Sequence, residues 1–151
     1  MERSVIACEP VLGPRDAEGL QGHRNKILND LWAKVIENVR AAHLSFDNGL
    51  YNMAASRAYY AMFTAARVLL SDVAGVELEQ MRRHTTVMRY FSLHFVRRGL
   101  CDRELGRAFM RASRLRGTAD YDAQAISRDQ AAAVIGTMLD FVAYAEKLLS
   151  K

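Results

Sequence analysis

The amino-acid sequence predicts an all-α protein, an up-and-down bundle of four to five helices. Both prolines, Pro10 and Pro14, lie near the N-terminus, so no proline interrupts a helix in the rest of the chain. Apolar residues recur there at spacings of three and four, the period of a helix with one buried face. The length of 151 residues fits one domain. We therefore expect a flexible N-terminal arm over residues 1–22 and one helical-bundle domain over residues 23–151.

The first two helices have the longest apolar patterns. Helix one is predicted over Asn25–Asp47, and Asn48-Gly49 then suits a left-handed C-terminal cap. Helix two is predicted over Leu50–Val73 and is apolar on nearly all sides, up to the break at Gly75. Such a helix lies at the centre of a bundle or is shared with a second subunit.

Two shorter helices follow. The third is predicted over His84–Arg98, where apolar residues again have helical spacing. Asp102 suits the N-cap of the fourth, which is expected to run to about Leu115. Gly117 is then expected to end it, so that residues 118–126 form a loop.

The last helix has the clearest start signal. Ser127 and Gln130 have the spacing of a capping box, in which each side chain accepts a hydrogen bond from the other residue's backbone amide. An apolar stripe continues from there to about Leu149.

Positive charge is concentrated in one part of the chain. Ten arginines and two acidic residues, Asp102 and Glu104, lie between Arg82 and Arg116, a local net charge of +8. The whole chain carries +4, so the remainder carries −4. This asymmetry predicts a negatively charged partner for that segment.

Within that segment, four arginines share one helical face. Glu104 offers one of them an i,i+3 partner, and like charges at i,i+4 are unfavourable. A solvated outer face is the alternative, but an uncompensated row favours binding RNA or an acidic protein surface. The four residues are Arg103, Arg107, Arg111 and Arg114.

Three stretches of sequence carry a more specific pattern. They are Gly49–Phe63, which contains S-R-A-Y-Y-A-M-F; His84 with Phe91 and His94–Leu100; and Arg116–Tyr121, which reads R-x-x-A-D-Y. In this order they resemble one branch of the HEPN-domain family, and the likeness extends over about residues 31–149.

The resemblance implies a helical bundle that is often dimeric and frequently acts beside a small nucleotidyltransferase in toxin–antitoxin or defence pairs. Active relatives are metal-independent RNases in which an R-x4-6-H motif from each subunit lines a cleft at the dimer interface. For this chain we expect a homodimer, a minimal nucleotidyltransferase partner, an RNA ligand and no cofactor.

The motif histidine is replaced in this sequence. Arg116 is followed at the motif distance by Tyr121, and a tyrosine with a pKa near ~10 is a poor general base compared with a histidine near ~6.5. We therefore expect binding without efficient catalysis; the alternative is an RNase that uses Arg116 and Tyr121.

A literal R-x4-H, Arg89 to His94, also exists. Chance alone gives about 1.3 such matches, and on a continuous helix the two side chains lie about 140° apart, which favours coincidence.

Three further residues are candidates for the site. Arg57 lies in a segment suited to burial, and a buried guanidinium needs an acidic partner. We expect Asp120 or another loop carboxylate to pair with it and to hold the Arg116–Tyr121 loop on helix two; otherwise Arg57 belongs to the cleft. His84 follows two arginines and is either a helix-start residue or a donor in the cleft.

Metal, membrane and disulfide chemistry are not indicated. Cys8 and Cys101 have neither metal-site spacing nor a disulfide framework, and no two histidines lie at i,i+4. No apolar run approaches the ~18 residues that span a membrane. We expect two free thiols, no metal and a cytoplasmic protein.

Overall fold

Five α-helices and two short helical turns make up the part of the chain that the structure describes. The structure is a computed structural model, which describes residues 20–121 and 124–149, with side chains from Asn25 onward. Within these residues no strand occurs, and the all-α prediction is confirmed. The elements are α1 (Leu20–Asp47), α2 (Tyr51–Asp72), a 3-10 turn (Leu78–Gln80), α3 (His84–Phe91), a π-helical turn (Ser92–Val96), α4 (Arg103–Tyr121) and α5 (Arg128–Leu149).

The central position belongs to α2. It packs against α1, α4 and α5, so its apolar circumference is covered within one chain. Five alanines of α2 are completely buried, and such small side chains let neighbouring helices approach closely. They are Ala54, Ala58, Ala61, Ala65 and Ala66.

Local signals set the helix ends as predicted. Gly49 has φ +74°, and the amide of Leu50 donates to the carbonyl of Ser45 over 2.8 Å. At the start of α5, the Ser127 amide donates to Gln130 Oε1 over 2.9 Å and the Gln130 amide donates to Ser127 Oγ over 3.1 Å. The predicted capping box is therefore confirmed.

The start of α1 differs from the prediction. The helix begins at Leu20, so the last three residues of the expected arm, 20–22, are helical. Gly22 is the one weak helix former among them, and a single glycine costs a helix only about 1 kcal/mol. The rest of the expected arm, residues 1–19, lies outside the described residues.

The third helix changes type in its second half. Its α-helical part ends at Phe91, and the amide of Arg97 donates to the carbonyl of Ser92 over 2.9 Å, an i to i+5 bond. A π-helical turn of this kind widens the helix and changes the direction of the side chains that follow.

The predicted end of helix four is wrong. α4 continues through Gly117 to Tyr121, so residues 118–121 of the expected loop are helical. Arg116 and Asp120 form an i,i+4 ion pair across the glycine, with Nη1 and Oδ2 3.4 Å apart. Ala119 packs against the core. These contacts offset the roughly 1 kcal/mol helix penalty of glycine.

No helix within the described residues combines the length and apolar character needed to cross a membrane.

Candidate functional site

A groove of about 930 Å³ runs between the α3–π segment and α4. Five arginines line it, and none of the described lining residues is acidic. The arginines are Arg89, Arg97, Arg103, Arg107 and Arg116. A concave surface that holds guanidinium groups without carboxylates is suited to an anionic ligand.

The floor of the groove is apolar. Phe91 and Phe109 form its buried base, whereas Leu93 and Met110 are 45 % and 40 % exposed. Gly106 permits the close approach of α4 to the π turn, because a Cβ atom on it would lie 2.8 Å from Val96 Cγ2. The close packing of α4 against the π turn at the groove floor therefore requires a glycine at this position.

His84 lies at the inner end of the groove. It begins α3, and its Nδ1 shares a hydrogen bond of 2.8 Å with the hydroxyl of Tyr59, a fully buried residue of α2. The imidazole also contacts the ring of Phe63, with 4.5 Å between the centroids. Because Nδ1 is engaged, Nε2 is the ring nitrogen left for a ligand.

Arg116 is fixed beside the same aromatic rings. Its guanidinium carbon lies 5.3 Å from the ring centroid of Tyr59 and 6.0 Å from that of Tyr60. The side chain is only 13 % exposed, and its buried Nε makes no hydrogen bond. Contacts on two aromatic rings and one carboxylate, Asp120, hold this guanidinium in place before any ligand arrives.

The surroundings favour the neutral form of His84. Burial lowers its pKa from the usual value, the positive charge of Arg116 lowers it further, and Asp120 opposes both. Burial also raises the pKa of the Tyr59 hydroxyl. At neutral pH the inner end of the groove therefore combines a neutral imidazole with a permanently charged guanidinium.

The predicted arginine face is divided by the fold. Arg103 and Arg107 line the groove, while Arg111 and Arg114 lie on α4 outside its lining. The prediction that Glu104 compensates one arginine is wrong: its carboxylate contacts Arg107 at 3.5 Å and Arg111 at 2.8 Å. Two turns of helix bring residue i+7 back to the same face, so one carboxylate reaches both. Hydrogen bonding from Arg111 lowers the pKa of Glu104.

The expected pairing of Arg57 with Asp120 does not form. The Asp120 carboxylate accepts from Arg116, its i,i+4 neighbour on α4. Arg57 Nη1 instead donates to Asn38 Oδ1 over 3.2 Å, and its guanidinium carbon lies 4.9 Å from the centroid of the Tyr60 ring. The continuation of α4 explains the difference, because helical geometry directs Asp120 back to Arg116. The other acidic residue of the expected loop, Asp122, lies outside the described residues.

The two R-x4 candidates do not form pairs in the groove. Tyr121 is 81 % exposed and absent from the groove lining, since five residues of α-helix separate it from Arg116 by about 140°. Arg89 lines the groove, but His94 does not; its ring instead lies 6.0 Å from that of Tyr90.

Four polar lining residues were not singled out as candidates from the sequence, namely Thr85, Ser92, Arg97 and Ser113. Arg97 directly follows the π turn, and Ser113 lies on α4. The number of arginines between Arg82 and Arg116 indicated that some of them would line a site. Only the packing of α4 against the π turn shows that Arg97 is one of these.

Within the described part of the chain, no three histidine, cysteine, aspartate or glutamate residues are grouped so that they could hold a metal ion. Cys101 is a free, buried thiol, and Cys8 lies outside the described residues.

Fold and groove together define a class of protein, an all-α bundle with a cationic groove beside a central aromatic helix. The family model of the HEPN domain matches residues 28–148, and the chain belongs to the HEPN domain family. It is 33 % identical over 115 residues to "Putative toxin MJ0605" of Methanocaldococcus jannaschii, a match that covers 76 % of this chain and 83 % of that protein.

Two further relatives share parts of the chain. "Putative toxin MJ0142" of the same organism is 31 % identical over 96 residues, which cover 64 % of this chain and 63 % of that protein. "UPF0332 protein PH1297" of Pyrococcus horikoshii is 42 % identical over 67 residues, which cover 44 % of each chain.

Proposed function

We propose that this protein is a toxin-type HEPN protein that binds RNA through the groove between the α3–π segment and α4. The observation that carries the proposal is the groove itself, which five arginines and no described carboxylate line. Guanidinium groups bind phosphate oxygens through paired N–H donors, and a row of them can follow a phosphodiester backbone.

RNA is favoured over an acidic protein surface by the arrangement of positive charge along the groove. The arginines extend from the π turn along α4 to Arg116 at the inner end, which suits the regular charges of a single strand. Leu93 and Met110 add exposed apolar surface that the sugars and bases of such a strand would cover.

A paired system is supported by the names of two relatives, each of which is called "Putative toxin". We expect a minimal nucleotidyltransferase as protein partner and a homodimer as the state in solution. Expression of the chain alone should then slow growth of a host cell, and co-expression of the partner should relieve it. Light scattering of the purified protein tests the dimer.

The binding site itself is tested by photo-crosslinking. A single-stranded RNA that contains 4-thiouridine should form adducts with peptides that contain Leu93 and Met110, the exposed residues of the groove floor. Adducts confined to α1 and α5 would contradict the proposed site. Displacement of the RNA by an acidic protein partner, with no adducts in the groove, would favour the protein ligand instead.

RNA cleavage is a second candidate function, because the structure places His84 beside Arg116. His84 comes from a different helix from the one that carries Arg116, yet both contact the rings of Tyr59 and Tyr60. With Nδ1–H donated to the Tyr59 hydroxyl oxygen, Nε2 of the neutral imidazole can accept a proton.

The corresponding reaction is an internal transesterification. His84 would take the proton of a ribose 2′-hydroxyl, the 2′-oxygen would attack the adjacent phosphorus, and the 5′-oxygen would leave with a proton from solvent. Arg116 would stabilise the negative charge on the phosphoryl oxygens. The products are a 2′,3′-cyclic phosphate and a 5′-hydroxyl end.

Cleavage of a single-stranded RNA in the presence of chelator tests this candidate. His84→Asn and Arg116→Gln should each abolish the activity, whereas Tyr121→Phe should leave it unchanged. Loss of activity in Tyr121→Phe alone would favour the Arg116–Tyr121 pair expected from the sequence. The same experiment on an RNA with 2′-deoxyribose at every position should give no products.

A further inference from the structure

A second, smaller concavity lies beside Tyr60, whose ring also contacts Arg116 of the groove. Its volume is about 340 Å³, and residues of α1 and α2 line it. Tyr60 belongs to this lining and also contacts Arg116 of the groove, so the two concave surfaces share one aromatic ring as a neighbour. The other lining residues are Lys34, Glu37, Asn38, Arg57 and Thr64.

Arg57 is held in this concavity without neutralisation of its charge by any contact the structure describes. Its Nη1 donates to the neutral amide oxygen of Asn38, its guanidinium carbon lies 4.9 Å from the centroid of the Tyr60 ring, and its buried Nε has no hydrogen-bond partner. A partly buried cation with unused donors is stabilised by an arriving anion. Because the side chain is already fixed, little conformational entropy is lost on binding.

The charges around Arg57 indicate which anion fits. Lys34 adds a second positive charge at the exposed side of the concavity, and Glu37 adds one negative charge. The net charge of the lining is therefore +1, which suits a monoanionic phosphodiester better than a dianionic terminal phosphate. Thr64 provides a neutral hydroxyl group that can bond to a ribose.

The path from the groove to this concavity is short. Arg57 and Arg116 contact the same ring at 4.9 Å and 6.0 Å from its centroid, so their guanidinium carbons are at most about 11 Å apart. A stacked strand advances about 3.4 Å per nucleotide, so at most about three nucleotides cover this distance.

We infer that the single strand bound in the groove continues across Tyr60, and that Arg57 and Lys34 bind a backbone phosphodiester within about three nucleotides of the phosphate at Arg116. This assignment rests on the proposed function of the groove. It gives Arg57, which the groove does not use, a role as the far end of one continuous binding track.

The dependence of affinity on RNA length tests this extension. Fluorescence anisotropy measures the binding of labelled oligouridylates from about four to about sixteen nucleotides, a series that covers the site sizes of single-strand binding folds. Wild-type affinity should rise a second time when the oligonucleotide becomes long enough to pass Tyr60. In Arg57→Gln this second rise should disappear, with about a fivefold loss for long oligonucleotides at about 0.1 M salt and no loss for short ones.

Two further variants keep the result interpretable. Lys34→Gln changes an exposed residue of the same concavity and should reduce the second rise without affecting the fold. Arg40→Gln removes the same charge from an exposed position of α1 outside both linings and should leave the length dependence unchanged.

Each outcome decides between the two proposals. Equal loss of affinity at all lengths in Arg57→Gln, or no loss at any length, would overturn the extension while the groove remains an RNA site. Absence of binding at every length in the wild-type protein would overturn both. A second rise that persists in both Arg57→Gln and Lys34→Gln would assign the additional contacts to another surface.

Discussion

The double variant Arg97→Gln/Arg103→Gln removes two of the five arginines that line the groove. Each phosphate contact on single-stranded nucleic acid contributes about −0.7 to the slope of log K against log salt concentration. If all five arginines contact phosphates, the wild-type slope is about −3.5, and the double variant should give about −2.1. The difference corresponds to about 25-fold weaker binding at about 0.1 M salt, relative to a 1 M reference state.

Fluorescence anisotropy of a labelled oligouridylate over a series of potassium chloride concentrations measures both slopes. The matched control is Arg111→Gln/Arg114→Gln, which removes the same charge from the same helix but outside the groove lining. Its slope should stay near the wild-type value, because neither arginine lines the groove. Loss of the exposed ion pair between Arg111 and Glu104 should cost the fold little stability. An equal reduction of slope in both double variants would refute the groove as the binding site.

Three further predictions follow from the environments of single residues. A nuclear magnetic resonance titration should give His84 a pKa below ~6.5, and bound RNA should raise it. The folded protein then binds fewer protons near this pH than the unfolded chain, so its free energy of unfolding should rise with pH there. His84→Gln should remove that contribution. A pKa above the usual value would contradict the burial of the imidazole. Burial, with the nearby Asp102 carboxylate, raises the pKa of the Cys101 thiol to about 11. In a Cys8→Ser background, its reaction with a disulfide reagent at pH 8 should therefore be at least about 100-fold slower than that of an exposed thiol. Rapid reaction would show that the thiol is accessible. Gly106→Ala should lower the free energy of unfolding by about 1 kcal/mol, because the added methyl group lies 2.8 Å from Val96 Cγ2. Val96→Ala in the same chain should relieve this overlap. Equal melting temperatures of wild type and Gly106→Ala would show that the helices separate without loss of stability.

The agreement between sequence and structure is best where a feature depends on neighbouring residues. The capping box of Ser127 and Gln130 and the left-handed Gly49 are set by contacts within a few residues, and the structure contains both. The central position of α2 follows from its own apolar circumference. The end of α4 was predicted wrongly, because the propensity of Gly117 is weaker than the combined effect of the Arg116–Asp120 pair and the packing of Ala119.

The site depends more on packing between helices. The sequence identified Arg103, Arg107, Arg116 and His84 as candidates, and all four line the groove. The sequence motif paired Arg116 with Tyr121, because a motif specifies only how many residues separate two positions along the chain. In the structure Arg116 lies beside His84, a residue of another helix, through their shared contacts with Tyr59 and Tyr60.

The sequence by itself determined the all-α class, the order of the helices and the excess of arginine between Arg82 and Arg116, because helical period, capping and composition are properties of neighbouring residues. Only the tertiary structure decided which arginines share a groove and which residue accompanies Arg116. The physical reason is that helical period fixes the angle between side chains on one helix but leaves the position of the next helix open. That position is set by packing contacts such as the approach of Val96 to Gly106.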